Sequence, residues 1–92
     1  MRLFKSVDEK LYDIGFVKER EDKYGVVYQR YNAEYNYTQN VSILYKKSGR
    51  HILQSYDPEL IDEKKIGNCA IGLTGKEMKL FIKKMKKIGL YS

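Results

Sequence analysis

From Phe16 to Tyr56 the chain offers a helix almost nothing to build on and a sheet a great deal. Tyrosine, valine, isoleucine and threonine are dense throughout, and such side chains suit a pleated, half-buried surface. Three clusters of turn-forming residues divide the stretch: Asp22-Lys23-Tyr24-Gly25, Asn32 to Asn36, and Lys46-Lys47-Ser48-Gly49-Arg50. The strands they leave are Phe16–Glu21, Val26–Ala33, a segment in which Val41, Ile43 and Tyr45 alternate, and His51–Tyr56. Alternation of that kind marks a strand with one face in the core. Connections this short join antiparallel neighbours, so the sequence predicts a four-stranded antiparallel meander. The second strand has two competing registers, one pairing Val26 with Tyr28, the other Val27 with Tyr31. A slip of one residue would exchange the two faces.

Helix signals bracket this region. Ser6-Val7-Asp8-Glu9 has the form of a capping box, in which a hydroxyl and a glutamate three residues later each satisfy a free backbone N–H. Val7, Leu11 and Ile14 then recur at helical spacing, and Gly15-Phe16 fits a left-handed stop followed by an apolar return to the core. At the other end Thr74-Gly75-Lys76-Glu77 is a second capping box. Met78, Phe81, Ile82, Met85 and Ile88 follow as the stripe of a core-facing helix, with Gly89 as its stop and Leu90 turning back inward. Between Asp57 and Leu73 the signals are weak: a helical turn begun by Asp57-Pro58-Glu59, and a short strand at Asn68–Ile71. The expected fold is α+β, a four-stranded antiparallel sheet with the N-terminal and C-terminal amphipathic helices packed on one face. A chain of 92 residues can bury one modest core, so residues 1–92 are read as a single domain.

Charge is distributed unevenly. Residues 1–72 hold 12 Lys/Arg against 11 Asp/Glu, while residues 73–92 hold six lysines against one glutamate. Nearly all of the formal net charge of +6 therefore belongs to the closing helix, which suits either an anionic partner or a solvated helix face. Cys69 is the only cysteine, and a secreted domain of this size would ordinarily carry disulfides. No apolar run reaches signal-peptide or membrane-spanning length. A cytoplasmic protein without membrane attachment is expected, and Asn36-Tyr37-Thr38 and Asn40-Val41-Ser42 are read as chance matches to a glycosylation triplet.

Little in the chain points to catalysis. His51 is the only histidine, and neither Cys69 nor Ser48 nor Ser55 sits in a nucleophile motif. Structural zinc needs four Cys or His ligands, and the acidic groups around Asp8 and Asp57 lack calcium-loop spacing. Thr74-Gly75-Lys76-Glu77 departs from a phosphate loop at Ala70 and Glu77. The reading is a non-enzymatic protein that uses no cofactor or metal.

Two binding readings remain. With both helices on one face, the other sheet face is free for a protein partner or for self-association, and tyrosine is enriched at interface cores. An exposed edge strand offers a second route. The alternative is nucleic acid, with tyrosines stacking on bases and lysines meeting phosphates. The candidate surface residues are Tyr28, Tyr31, Tyr37 and Tyr45 in the strands and Lys79, Lys83, Lys86 and Lys87 on the last helix.

Phe4-Lys5-Ser6-Val7-Asp8-Glu9 with Leu11 and Ile14-Gly15-Phe16 resembles the opening helix of small uncharacterised phage and prophage proteins of Gram-positive bacteria. Leu73-Thr74-Gly75-Lys76-Glu77 with Ile88-Gly89-Leu90 is similar to their closing helix, except that Leu90 stands where their pattern has an aromatic. The resemblance covers about a third of the chain closely. It implies a mobile-element origin and the helix–strands–helix order. It implies no activity; a small protein of phage type is expected to serve as an adaptor, or as an inhibitor of a host system, bacterial defence included, and a basic inhibitor would act by wedging or by occupying an acidic surface.

Overall fold

The computed structural model describes residues 5–59 and 70–89. Helix α1 spans Val7–Asp13, strands β1 to β4 span Val17–Asp22, Gly25–Asn32, Tyr37–Leu44 and Ile52–Tyr56, and helix α2 spans Gly75–Gly89. The strands form one antiparallel sheet in sequence order. This is the α+β architecture that the sequence predicts. The expected positions of Leu90, Cys69 and the Asn68 end of the short strand lie outside the described residues. The described part of that strand meets the edge of β4: Tyr56 bridges to Ala70, and the Ile71 N–H donates to the Ser55 carbonyl at 3.0 Å.

Local chemistry fixes the ends of both helices. The Glu9 N–H donates to Ser6 Oγ at 3.1 Å while the Ser6 N–H reaches Glu9 Oε1 at 3.4 Å. At α2 the Glu77 N–H donates to Thr74 Oγ1 at 3.2 Å and the Thr74 N–H to Glu77 Oε1 at 2.9 Å. Gly15 ends α1 at φ +98°, a conformation costly for other residues, and lets the Phe16 N–H return to the Leu11 carbonyl. Asp22 closes the first hairpin by accepting from the N–H groups of Tyr24 and Gly25.

The register follows the Val26 and Tyr28 alternative. Val26 pairs with Ile43 and Ile43 with Leu53, while Tyr28 pairs with Val41. These side chains meet Val7 and Leu11 of α1, Phe16, and Phe81 of α2 in one core. Phe81 stands edge-on to Phe16 at 5.2 Å and to Tyr28 at 5.5 Å, a favoured aromatic geometry. Both helices therefore cover the same sheet face, and no other described element covers the face carrying Val27, Gln29, Tyr31, Leu44 and Ile52. Strand β1 is exposed along its whole length, and its register shifts between Lys18 and Arg20.

The stripe of α2 differs from the one its apolar residues predict. Phe81 is buried, but so is Glu77, whereas Met78 and Ile82 are 43% and 40% exposed. The helix is turned so that Glu77, Phe81 and Lys84 face the sheet. The cause is Arg30 of β2. Its guanidinium pairs with Glu77 Oε2 at 2.7 Å, lies 4.1 Å from the Phe16 ring centre, and donates to the Ile14 carbonyl and to Gln39 Oε1. Gln39, itself buried, donates onward to Ser55 Oγ. Hydropathy alone assigns Arg30 and Glu77 to solvent, but together they satisfy one another at the rim of the core.

Truncating Phe81 to alanine should cost about 3–5 kcal/mol, read as a lowered urea midpoint at unchanged slope; a loss near zero would mean that α2 does not depend on this contact. Gly25→Ala should cost about 1–3 kcal/mol, because a Cβ there would collide with the Ile43 carbonyl oxygen.

Candidate functional site

The six lysines of α2 have different surroundings. Lys84 points inward and joins two carboxylates, Asp8 of α1 at 3.4 Å and Glu21 of β1 at 3.1 Å. Lys18 bonds the same pair at 3.1 and 2.9 Å. Tyr28 Oη donates to Asp8 at 2.6 Å and Tyr45 Oη to Glu21 at 3.1 Å. Two carboxylates, two ammonium groups and two phenols thus close one end of the helix–sheet seam, as Arg30 and Glu77 close the other. Burial and the facing Asp8 push the Tyr28 phenol far up, and burial with Glu21 does the same to Tyr45, so both stay protonated and donate to these carboxylates.

The remaining five lysines, Lys76, Lys79, Lys83, Lys86 and Lys87, make no ion pair among the described residues. Lys76, Lys79, Lys83 and Lys86 follow one another at steps of three and four, which places them on one side of the helix. The sequence suggests lysines all round α2. Because Lys84 turns inward and Lys87 sits at the edge, the structure resolves them into a single solvent-facing stripe.

Two concavities flank that stripe. One, of about 750 Å³, runs between α1 and α2, with Lys10 on the α1 side and Ile14, Leu80 and Ile82 exposing apolar surface along it. The other, of about 1030 Å³, lies at the far end, where Lys23 and Tyr24 of the first turn meet Tyr45, Lys46, Lys47 and Lys87. Tyr24 is 65% exposed and Lys23 Nζ stands 5.0 Å from its ring centre.

The eight residues predicted to form a surface do not lie together. Tyr28 is fully buried, so its expected place on a surface is corrected: its register turns it toward α2 and Asp8 claims its hydroxyl. Tyr37 and Tyr45 are half-buried on the helix-covered side, Tyr37 accepting from Asn32 at 3.4 Å. Only Tyr31 stands exposed on the open face, its hydroxyl held by Asn36 at 2.5 Å. Lys79, Lys83 and Lys86 share the helix stripe, with Lys87 beside it, and all four are on the opposite side of the molecule from Tyr31. Tyr45 and Lys87 share the concavity at the end of α2, but no single surface of the described residues joins all eight. Residues that sequence reasoning passed over, Lys10, Lys76, Ile14 and Leu80, line the inter-helix groove instead; the three-four spacing of the lysines was the available signal.

His51 is buried at the end of the third turn. Its Nδ1 accepts from the Lys46 N–H at 2.9 Å, its ring lies against Tyr45 at 5.4 Å, and its Nε2 has no partner among the described residues. Ser55 is occupied by Gln39 and Ser48 accepts from the Arg50 N–H within its own turn. Among the described residues no group of three His, Cys, Asp or Glu side chains is placed to hold a metal ion, and no helix is long and apolar enough to cross a membrane. Comparison with known proteins finds no family model, no curated protein and no solved structure that matches the chain.

Burial raises the carboxyls of Asp8, Glu21 and Glu77, but hydrogen bonds from Tyr28, Lys18, Lys84, Arg30 and the Thr74 N–H outweigh it and hold all three below their ordinary values of 3.8 and 4.5. Groups lowered in the folded state stabilise it fully above those ordinary values and lose that contribution as pH falls through the folded ones. The urea midpoint should stay level near neutrality and fall steadily below about pH 4.5. Glu77→Gln, which keeps the shape without the charge, should flatten part of that fall; an unchanged slope would remove Glu77 from the acid response.

Proposed function

We propose that the protein is a small non-enzymatic binding module that engages an acidic protein partner through the lysine stripe of α2, acting as an adaptor or as an inhibitor of a host system. The carrying observation is how the charges are used. Each described carboxylate of the two helices, and Glu21 beside them, is engaged: Asp8 and Glu21 by Lys18 and Lys84, Glu77 by Arg30, Asp13 by Lys5 at 2.6 Å, and Glu9 by the Ser6 N–H. The stripe lysines have no such partner among the described residues, so an incoming anionic surface displaces water and counterions but breaks none of the described ion pairs. Charge arranged in this way raises association rates and selects partners by sign.

The open sheet face supports less. Four strands about 4.8 Å apart and roughly 20 Å long present on the order of 400 Å², about half of what each partner contributes to a standard interface. Self-association through that face alone would be weak. Nucleic acid is the second candidate partner, favoured by one observation: the concavity at the end of α2 places Tyr24 and Tyr45 among Lys23, Lys46, Lys47 and Lys87, a combination able to stack a base and meet phosphates. The inter-helix side has no aromatic ring, and no arginine of the described chain lines it.

Capture from a Gram-positive bacterial lysate, with and without nuclease, separates the two. The wild-type chain should retain a defined acidic protein after nuclease treatment, and Lys79→Glu/Lys83→Glu/Lys86→Glu should lose it. Capture that vanishes with nuclease, or that survives the charge reversal, would sink the acidic-protein reading.

A further inference from the structure

We infer that the groove between α1 and α2 receives an amphipathic helix of the partner, an apolar ridge flanked by carboxylates; this rests on the acidic-protein reading above. The floor supplies the first requirement. Ile14 at the C-cap of α1 and Ile82 on α2 are each 40% exposed, and Leu80 lies between the helices, half-buried against the core. Apolar surface left open beside charged residues gains from a partner that covers it.

The walls supply the second. Lys10 stands on the α1 side and Lys76, Lys79, Lys83 and Lys86 on α2. The two carboxylates that line the groove do not oppose an anionic ligand, since Asp13 is held by Lys5 and Glu77 by Arg30. The 15 residues of α2 extend roughly 22 Å, enough to lie along a helix of about four turns. Lysines at steps of three and four match carboxylates at the same steps on an antiparallel or parallel partner, with apolar anchors between. A nucleic-acid strand fits this groove poorly. It carries charge along its whole backbone, would leave the isoleucine and leucine floor uncovered, and would find no ring on which to stack.

The test is titration of the full chain, followed by fluorescence anisotropy, with three probes. The first is a synthetic helix of about 15 residues, about the length of α2, carrying leucines at helical spacing flanked by glutamates. The second is the same composition with that spacing scrambled, and the third is a single-stranded oligonucleotide of equal charge. The amphipathic peptide should bind about tenfold tighter than the scrambled one, the worth of covering part of two aliphatic side chains, and its helicity should rise on mixing. Ile14→Ser/Ile82→Ser should erase that preference while leaving the fold's thermal transition in place, since both side chains are already partly exposed. Equal binding of both peptides, lost together in Lys79→Glu/Lys83→Glu, would overturn the helix-in-groove inference but leave the acidic-protein reading standing. No binding by either peptide, or tighter binding of the oligonucleotide, would overturn both.

Discussion

Arg30 holds the architecture together. A single guanidinium on the second strand reaches the last carbonyl region of one helix, the capping glutamate of the other, a glutamine on the next strand and the face of Phe16. Its planar fork of five donors is suited to such simultaneous contacts, and an ammonium group could not replace it. Because Glu77 belongs to a capping box and to this ion pair at once, the start of α2 is tied to the sheet by the same side chain that starts the helix. The orientation of α2, and with it the direction of every lysine on it, follows from that tie.

The opposite end of the seam repeats the logic with different groups. There Asp8 and Glu21 are shared between Lys18 and Lys84, and the phenols of Tyr28 and Tyr45 complete the set. The apolar core between these two clusters is small. Polar groups at its margins tie the helix layer to the sheet through partly exposed ion pairs. The solvent-facing lysines, the groove and its exposed aliphatic floor all take their places from it.

How much of this was legible varies with range. Both capping boxes and the glycine stop of α1 could be read directly, because each involves residues within a few positions of one another. The turns and strand order were legible for the same reason. The register of β2 was not, since the choice between Tyr28 and Tyr31 as the inward residue depends on Asp8, twenty positions away, and on Phe81. The facing of α2 was misread because a hydropathy pattern sends Glu77 and Lys84 to solvent, whereas their partners Arg30, Asp8 and Glu21 draw them in. The tyrosine and lysine candidates were scattered by the same limit, since their grouping depends on which face each strand and helix presents.

The sheet's two margins have a consequence for life at high concentration. Along β1 every side chain is exposed, five of the six are charged, and the ladder is interrupted after Lys18; along β4, Ala70 and Ile71 already occupy part of the free edge. An intruding strand would meet mismatched spacing on one side and a chain already in place on the other. Both edges of the described sheet are thereby poor templates for adding a strand from another copy.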